Sequence, residues 1–273
     1  MIPVVEEFCT DGFVAVRRAV QPDIVQRCVD TISKELRGRG VAPRDPATWT
    51  KPVMRIPCPE GPAFAAAGTA PKLAAWYDAL LGPGRWIPHP GVGGTIPIRF
   101  PSRCDPGDAG WHIEGSYDVD GAWWVNVQSR GRGLLALFLF TDVGDDDAPT
   151  ELIAGSHLDV PPILAPFGAR GVFFGDVVGR LPRSTWKRPR VRATGRAGDV
   201  FLCHPFVVHR ATWPHRGTQP RMVAQPAVAT YEPFALRPDM PACAVERTVL
   251  DALARSAHPD RLPGVLHTSS VPE

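Results

Sequence analysis

His112-Ile113-Glu114 puts an imidazole and a carboxylate two residues apart. On an extended strand, residues i and i+2 share a face, so both side chains reach one cavity. These are two of the three donors that hold non-haem Fe(II) on one side of its coordination sphere. A distant histidine must complete the set. The chain has eight histidines, and two of them, His204 and His209, lie on the run that follows Gly198-Asp199. Residues 199–208 read as a strand running toward a turn. The spacing of the two histidines is odd, so on a regular strand they face opposite sides and only one can join the site. Pro214, Gly217 and Pro220 then favour a reversal, and Arg221 begins a returning strand. In an antiparallel pair, His209 and Arg221 become near neighbours beside one pocket.

The elements that must position these groups are short. Residues 12–16 read as a strand. Pro22 and Asp23 open a helix with Val25, Cys28, Val29, Ile32 and Leu36 at helical spacing, and Gly38 closes it. Pro71 opens a second helix, with Leu73, Trp76, Leu80 and Leu81 as its apolar set and Gly82 after its end. From about residue 86, β-rich runs alternate with Pro/Gly turns, over 96–100, 111–114, 123–127, 134–140 and 221–230. The run 134–140 is almost wholly apolar, as a strand buried on both faces requires. Val245, Val249, Leu250 and Leu253 mark a last helix. No repeat or linker is evident. The expectation is one domain, mainly β with flanking helices: a helical part over about 1–85, a sandwich or barrel over about 86–235 and a C-terminal helix over about 243–256.

Composition excludes several classes. With 30 basic and 28 acidic residues the net charge is +2. That balance gives no support to nucleic-acid or membrane-surface binding. No apolar run is long enough to span a bilayer, and the acidic start MIPVVEEFCTDG is unlike a signal peptide. The expectation is a cytoplasmic protein, a monomer or homodimer, acting on a small molecule. The six cysteines (9, 28, 58, 104, 203, 243) form no CxxC pair and read as free thiols.

The chain resembles the phytanoyl-CoA dioxygenase-like family of Fe(II)/2-oxoglutarate oxygenases. The likeness runs from residues 8–16, read as a strand, and the two helices, through His112-x-Glu114 and Gly155-Ser156-His157, to Gly198-Asp199, His209 and Arg221. It implies a double-stranded β-helix, a cupin-like jelly-roll barrel with a metal in its mouth. It also implies that His112, Glu114 and His209 are the iron ligands and that Arg221 pairs with the distal carboxylate of 2-oxoglutarate. Three protein donors leave three cis positions, two for 2-oxoglutarate and one for O₂. A carboxylate buried in a barrel needs a partner, and arginine offers a planar fork. The reaction implied is oxidation of an unactivated C–H, with 2-oxoglutarate decarboxylated to succinate. The chain departs from the family at two places. Glu114 stands where the family usually has Asp; its presence argues for hydroxylation, because related halogenating enzymes lack the carboxylate. The loop Asp145 to Thr150 lacks the family's usual Asn-Gly and Pro-Gly.

Other polar groups are candidates by position. Arg99, Gln128 and Thr141, all read on strands, are candidates to touch the cosubstrate. Trp111, Tyr117, Trp123 and Trp124 bracket the metal motif, as substrate walls or as core, with residues 115–122 as a lid. His157 reads as a structural hydrogen-bonding group, His215 as exposed and His89 as a loop residue. Lys187 to Arg192 alternates charge as a protected edge strand does. Two other functions fit the same residues: a cupin-like metalloenzyme that does not use 2-oxoglutarate, and a non-catalytic binding protein on the same fold.

Overall fold

Proline and glycine cut the chain into short elements. The computed structural model describes residues 2–257. The N-terminal part runs α1 (Ile2–Asp11), β1 (Phe13–Val16), α2 (Pro22–Gly38), β2 (Val53–Pro57), α3 (Pro62–Gly68) and α4 (Pro71–Leu81). Strands then dominate: β3 (Thr95–Arg99), β4 (Tyr117–Val119), β5 (Ala122–Val125), β6 (Leu134–Leu139) and β7 (Glu151–Ile153). After the short helix α5 (Pro161–Leu164) come β8 (Val172–Phe173), β9 (Arg190–Arg192), β10 (Val200–Cys203), β11 (His209–Arg210), β12 (Val223–Ala224) and β13 (Ala227–Val228). Helix α6 (Ala244–Ala257) follows. Among the described residues no helix is long and apolar enough to cross a membrane.

One antiparallel sheet has the order β1-β10-β6-β12, with β13 also on β6. The antiparallel pair β2–β3 joins its edge through a bridge between Arg99 and Arg221. A second sheet has the order β11-β7-β9, and a third has β4-β5-β8. Every residue of β6 is buried, and its two faces serve different cores. Leu134, Ala136 and Phe138 pack with the helices, including the Val25, Cys28, Ile32 and Leu36 stripe of α2. Leu135, Leu137 and Leu139 pack with Phe201 and Cys203 of the same sheet and Leu152 and Val191 of the second. The alternation of β6 between two cores explains why its sequence has no polar face. It also places the two sheets on either side of one apolar layer, consistent with a cupin-like sandwich.

Glycine and aspartate at 198 and 199 tie β10 to the turn after β1. Gly198 has φ +93°, and a Cβ there would lie 2.5 Å from the Val20 carbonyl oxygen. Asp199 accepts from the Arg18 and Arg196 amides at 2.8 and 3.0 Å and from Arg17 at 2.9 Å. Glu246 fixes α6 in the same way. It is fully buried, accepts both Arg85 Nη groups at 2.7 and 2.5 Å, and takes the Ala235 and Cys243 amides.

The structure corrects several expectations. Phe8 lies in a helix, not a strand, because the segment before Gly12 turns its apolar side chain onto the core at helical spacing. Helix α3 and strand β2 were not legible as elements. The stretch 199–208 is not one strand: β10 stops at Cys203, a turn at His204-Pro205-Phe206 intervenes, and β11 starts at His209. Proline and the His204 ring drive this break, since the ring's Nδ1 accepts the Phe206 amide at 3.1 Å. Residues 221–230 are likewise split, at Gln225-Pro226. Strand β9 does form the edge of its sheet.

The break places His204 beneath α6. Its ring is fully buried, 3.2 Å from Thr248 Oγ1 and 4.9 Å from the His157 ring, centre to centre. His157 Nε2 donates to the Cys9 carbonyl at 3.1 Å. Burial pushes His157 down from 6.5 to about 4 and His204 well below 6.5, with His157 adding to the effect. Both rings are therefore neutral in the folded chain, whereas the unfolded chain takes up protons on them below about pH 6.5. Stability is present above that pH and is lost as pH falls toward 4, at roughly 1.4 kcal/mol per pH unit for each histidine. Thermal denaturation between pH 7 and 4.5 is expected to show this decline, and His157→Gln is expected to flatten it. An equal slope in that variant would contradict the assignment.

Candidate metal centre

His112 and His209 are joined by backbone. Each amide N–H donates to the other's carbonyl at 2.9 Å, in an isolated antiparallel bridge. On its other side, His209 pairs with Leu152 of β7. His112-Ile113-Glu114 is thus not part of a regular ladder, contrary to the strand expected over 111–114. The alternation holds locally: Ile113 is fully buried in the helix-side core, and His112 and Glu114 turn the other way toward His209. The rings of His112 and His209 are 4.4 Å apart, centre to centre.

The approach to His209 is built by Gly155-Ser156-His157. Gly155 takes φ +74°. Ser156 Oγ donates to the Ile153 carbonyl at 2.7 Å and accepts the Val208 amide at 2.8 Å. A buried hydroxyl thereby stitches β7 to the residue before His209.

Both rings are set in one tautomer. His112 Nδ1 lies 2.9 Å from the Gly110 carbonyl, and His209 Nδ1 lies 3.1 Å from that of Val207. Carbonyl oxygen only accepts, so each Nδ1 carries a proton, which leaves Nε2 as the nitrogen that each ring can offer to a metal. Burial, reinforced by His209, pushes His112 down to about 4, so the ring is neutral at pH 7. Burial alone would raise Glu114, but Arg132, His209 and His112 outweigh it and hold the carboxyl at about 2. One donor atom each from His112, Glu114 and His209 lie within 4.8 Å of one another, close enough to share one ion. Two imidazoles and an ionised carboxylate fit a divalent metal of the iron type and leave the remaining positions free.

Arg221 sits elsewhere than the hairpin reading placed it. Just ahead of β12, it pairs in an isolated bridge with Arg99 at the end of β3, not with His209, whose neighbours are His112 and Leu152. Broken strands explain the difference, because β11 and β12 belong to different sheets. Arg221 is 1% exposed. Its Nη1 donates to the Ala148 carbonyl, and its Nε has no partner among the described residues. Burial, with Arg99 beside it, lowers its pKa to about 9. Arg99 is 3% exposed; its Nη2 donates to Asp108 at 2.7 Å and its Nε is also without a partner. Two buried guanidinium groups with spare donors form a place for a carboxylate.

The remaining candidates scatter. Gln128 lies in a turn rather than a strand, where its carbonyl accepts the Phe234 amide. Thr141 follows the end of β6, accepts the Met222 amide at 3.0 Å and lines a groove of about 790 Å³ against α2. The Trp111 ring has the guanidinium groups of Arg210 and Arg190 over it, at 4.5 and 5.4 Å. Tyr117 and Trp124 pair across β4–β5, with Arg130 and Arg170 over their rings. Trp123 is 51% exposed and packs on Gly115, where a Cβ would lie 2.6 Å from its own. Residues 115–122 are built into the β4–β5 hairpin. His215 is buried, not exposed, because its backbone pairs with Ser102. Sequence reading missed Arg132 and Asp108. Each sits in a Gly-rich stretch that looks like a solvated loop.

The sequence matches the family described as Phytanoyl-CoA dioxygenase (PhyH) over residues 8–223. No curated protein matches it. Among solved structures, it is similar to the non-heme α-ketoglutarate-dependent carbocyclase SnoK from nogalamycin biosynthesis. The identity is 19%, the coverage 84% of this chain and 83% of that one, and the TM-score 0.56. The epimerase SnoN from the same biosynthesis gives 16%, 82%, 80% and 0.51 in the same order. HygX from Streptomyces hygroscopicus, solved with nickel and 2-oxoglutarate, gives 17%, 85%, 87% and 0.53. At these identities the likeness is one of fold.

Anaerobic titration with Mn(II) is expected to show one ion per chain. His209→Ala and Glu114→Ala should each weaken it by more than the roughly 10- to 100-fold seen when a group that merely orients a ligand is lost. Unchanged affinity in both variants would remove them from the centre.

Proposed function

The chain belongs to the phytanoyl-CoA dioxygenase family, and from that premise we propose that it is an Fe(II)- and 2-oxoglutarate-dependent oxygenase that hydroxylates a small organic molecule. The observation that carries this reading is the convergence of His112, Glu114 and His209, with both histidines held at Nδ1 so that Nε2 is the nitrogen left for a metal. In this reading the two sheets form a jelly-roll barrel with the centre at its mouth. Iron with 2-oxoglutarate and O₂ supplies the oxidation: R–H, 2-oxoglutarate and O₂ give R–OH, succinate and CO₂.

The chain's own residues do the rest. His112, Glu114 and His209 hold the metal from one side. Arg221, whose buried Nε is otherwise idle, takes the distal carboxylate of the cosubstrate, and Arg99 beside it adds positive charge. Glu114 fills the position that a halide would need, which favours hydroxylation. SnoK is a carbocyclase and SnoN an epimerase, so it is Glu114, not the likeness of fold, that singles out hydroxylation here. Tyr117, Trp123 and Trp124 lie on the hairpin that follows Glu114; Trp123, half exposed on Gly115, is the best placed of them to meet a substrate. The likeness to two enzymes of nogalamycin biosynthesis supports a natural-product intermediate as substrate class.

The test is conversion of 2-oxoglutarate to succinate by the Fe(II)-loaded protein. Arg221→Ala should raise the cosubstrate KM about 100-fold, the loss of about 3 kcal/mol for a buried charged partner, while Mn(II) still binds. An unaltered KM would take Arg221 out of its role. A wild-type protein that binds metal but makes no succinate, with or without substrates, would favour a metalloprotein that does not use 2-oxoglutarate. Glu114→Ala should end hydroxylation; retained activity would mean that another carboxylate holds the metal.

A further inference from the structure

Arg132 is a buried arginine that the reading above leaves unused. It is 9% exposed. Its Nε donates to the carbonyl of Gly115, the residue after Glu114, at 3.1 Å. Its Nη2 lies 3.3 Å from Oε2 of Glu114. The other oxygen, Oε1, lies 3.3 Å from Nε2 of His209. The two oxygens of one carboxylate therefore have different partners: one faces the histidine donors, the other a guanidinium.

The loop that carries Arg132 is built to hold it. Ser129 is fully buried with φ +42°, and its Oγ donates to the Arg132 carbonyl at 2.8 Å. Asn126 donates to the Ala169 carbonyl at 3.0 Å and accepts the Arg130 amide at 3.2 Å. Gly131 has φ +84°, and a Cβ there would lie 2.9 Å from the Ser116 carbonyl oxygen. A left-handed serine and a glycine in close approach aim one side chain at one carboxylate.

Glutamate needs such a hold more than aspartate does. Its extra methylene adds a torsion, and a free carboxylate can turn both oxygens to one ion. That would take one of the three positions a bound cosubstrate and O₂ require. We propose that Arg132 is a positioning residue: it binds Oε2 of Glu114, so that the glutamate presents Oε1 alone to the metal. This rests on the metal-centre reading. Arginine suits the task because its rigid fork reaches Glu114 and Gly115 at once, which the single ammonium of lysine does not.

The experiment measures Co(II) binding to the full-length metal-free protein, with its visible absorption and thermal denaturation, for Arg132→Met, Arg132→Lys and Glu114→Asp. Arg132→Met should weaken Co(II) by about 10- to 100-fold and shift the visible bands. Arg132→Lys keeps the charge, so it should fold like the wild type and bind with intermediate affinity. In the Glu114→Asp background the shorter carboxylate withdraws from Arg132, so Arg132→Met should add less than about threefold. A purely structural arginine would instead lower the melting temperature equally in both backgrounds and leave the Co(II) affinity and bands of folded protein unmoved. That outcome, or equal losses of affinity in both backgrounds, overturns the proposal. If Arg132→Met does not fold, a wild-type affinity and spectrum in Arg132→Lys overturns it. A wild-type protein that binds no Co(II) defeats the metal centre itself, and the proposal with it.

Discussion

Two reciprocal backbone hydrogen bonds between His112 and His209 hold the candidate site together. They join segments almost a hundred residues apart in the chain and bring the two rings to one side. The bridge depends on β11 being in place, and β11 depends on its ladder to β7 and on the Ser156 hydroxyl that takes the Val208 amide. The apolar layer of Leu135, Leu137, Leu139 and Leu152 sets the spacing of the two sheets. Burial drives that layer together, and the polar stitching at its rim decides which side chains meet.

Buried charge has a consistent logic here. Each buried or half-buried carboxylate near the centre has an arginine: Glu114 has Arg132, Asp108 has Arg99, and Glu151 has Arg210. Arg221 has a backbone carbonyl and an idle Nε instead. A guanidinium this deep is costly to leave without an anion, which is why its pKa is pushed down. Among the described residues, three carboxylates thus have their cations, and Arg221 is a buried cation with no carboxylate in hydrogen-bond reach. Glu114, so held, is suited to a metal, and Arg221 to an anionic ligand.

Much of this was legible in the residues. The apolar run of β6 announced a strand between two layers, and the stripe of α2 announced its packing face. The HxE spacing survived even though its strand is a single bridge, because alternation is a local property of extended backbone. What failed was pairing. His209 and Arg221 looked like partners across a hairpin, yet they pair with His112 and Arg99 in different sheets. No periodicity encodes which distant strand a two-residue segment will join. Arg132 was illegible for a related reason. In Ser129-Arg130-Gly131-Arg132-Gly133 its neighbours look like loop, and only the left-handed turns of the folded chain aim it at Glu114.

The central claim is that three side chains, from two distant segments, bind one metal ion. An anaerobic crystal structure of the Fe(II)-loaded protein tests this most directly. It should show one iron bonded to Nε2 of His112, Nε2 of His209 and a single carboxylate oxygen of Glu114. Iron bound at other residues, or at this place without His209, would contradict it.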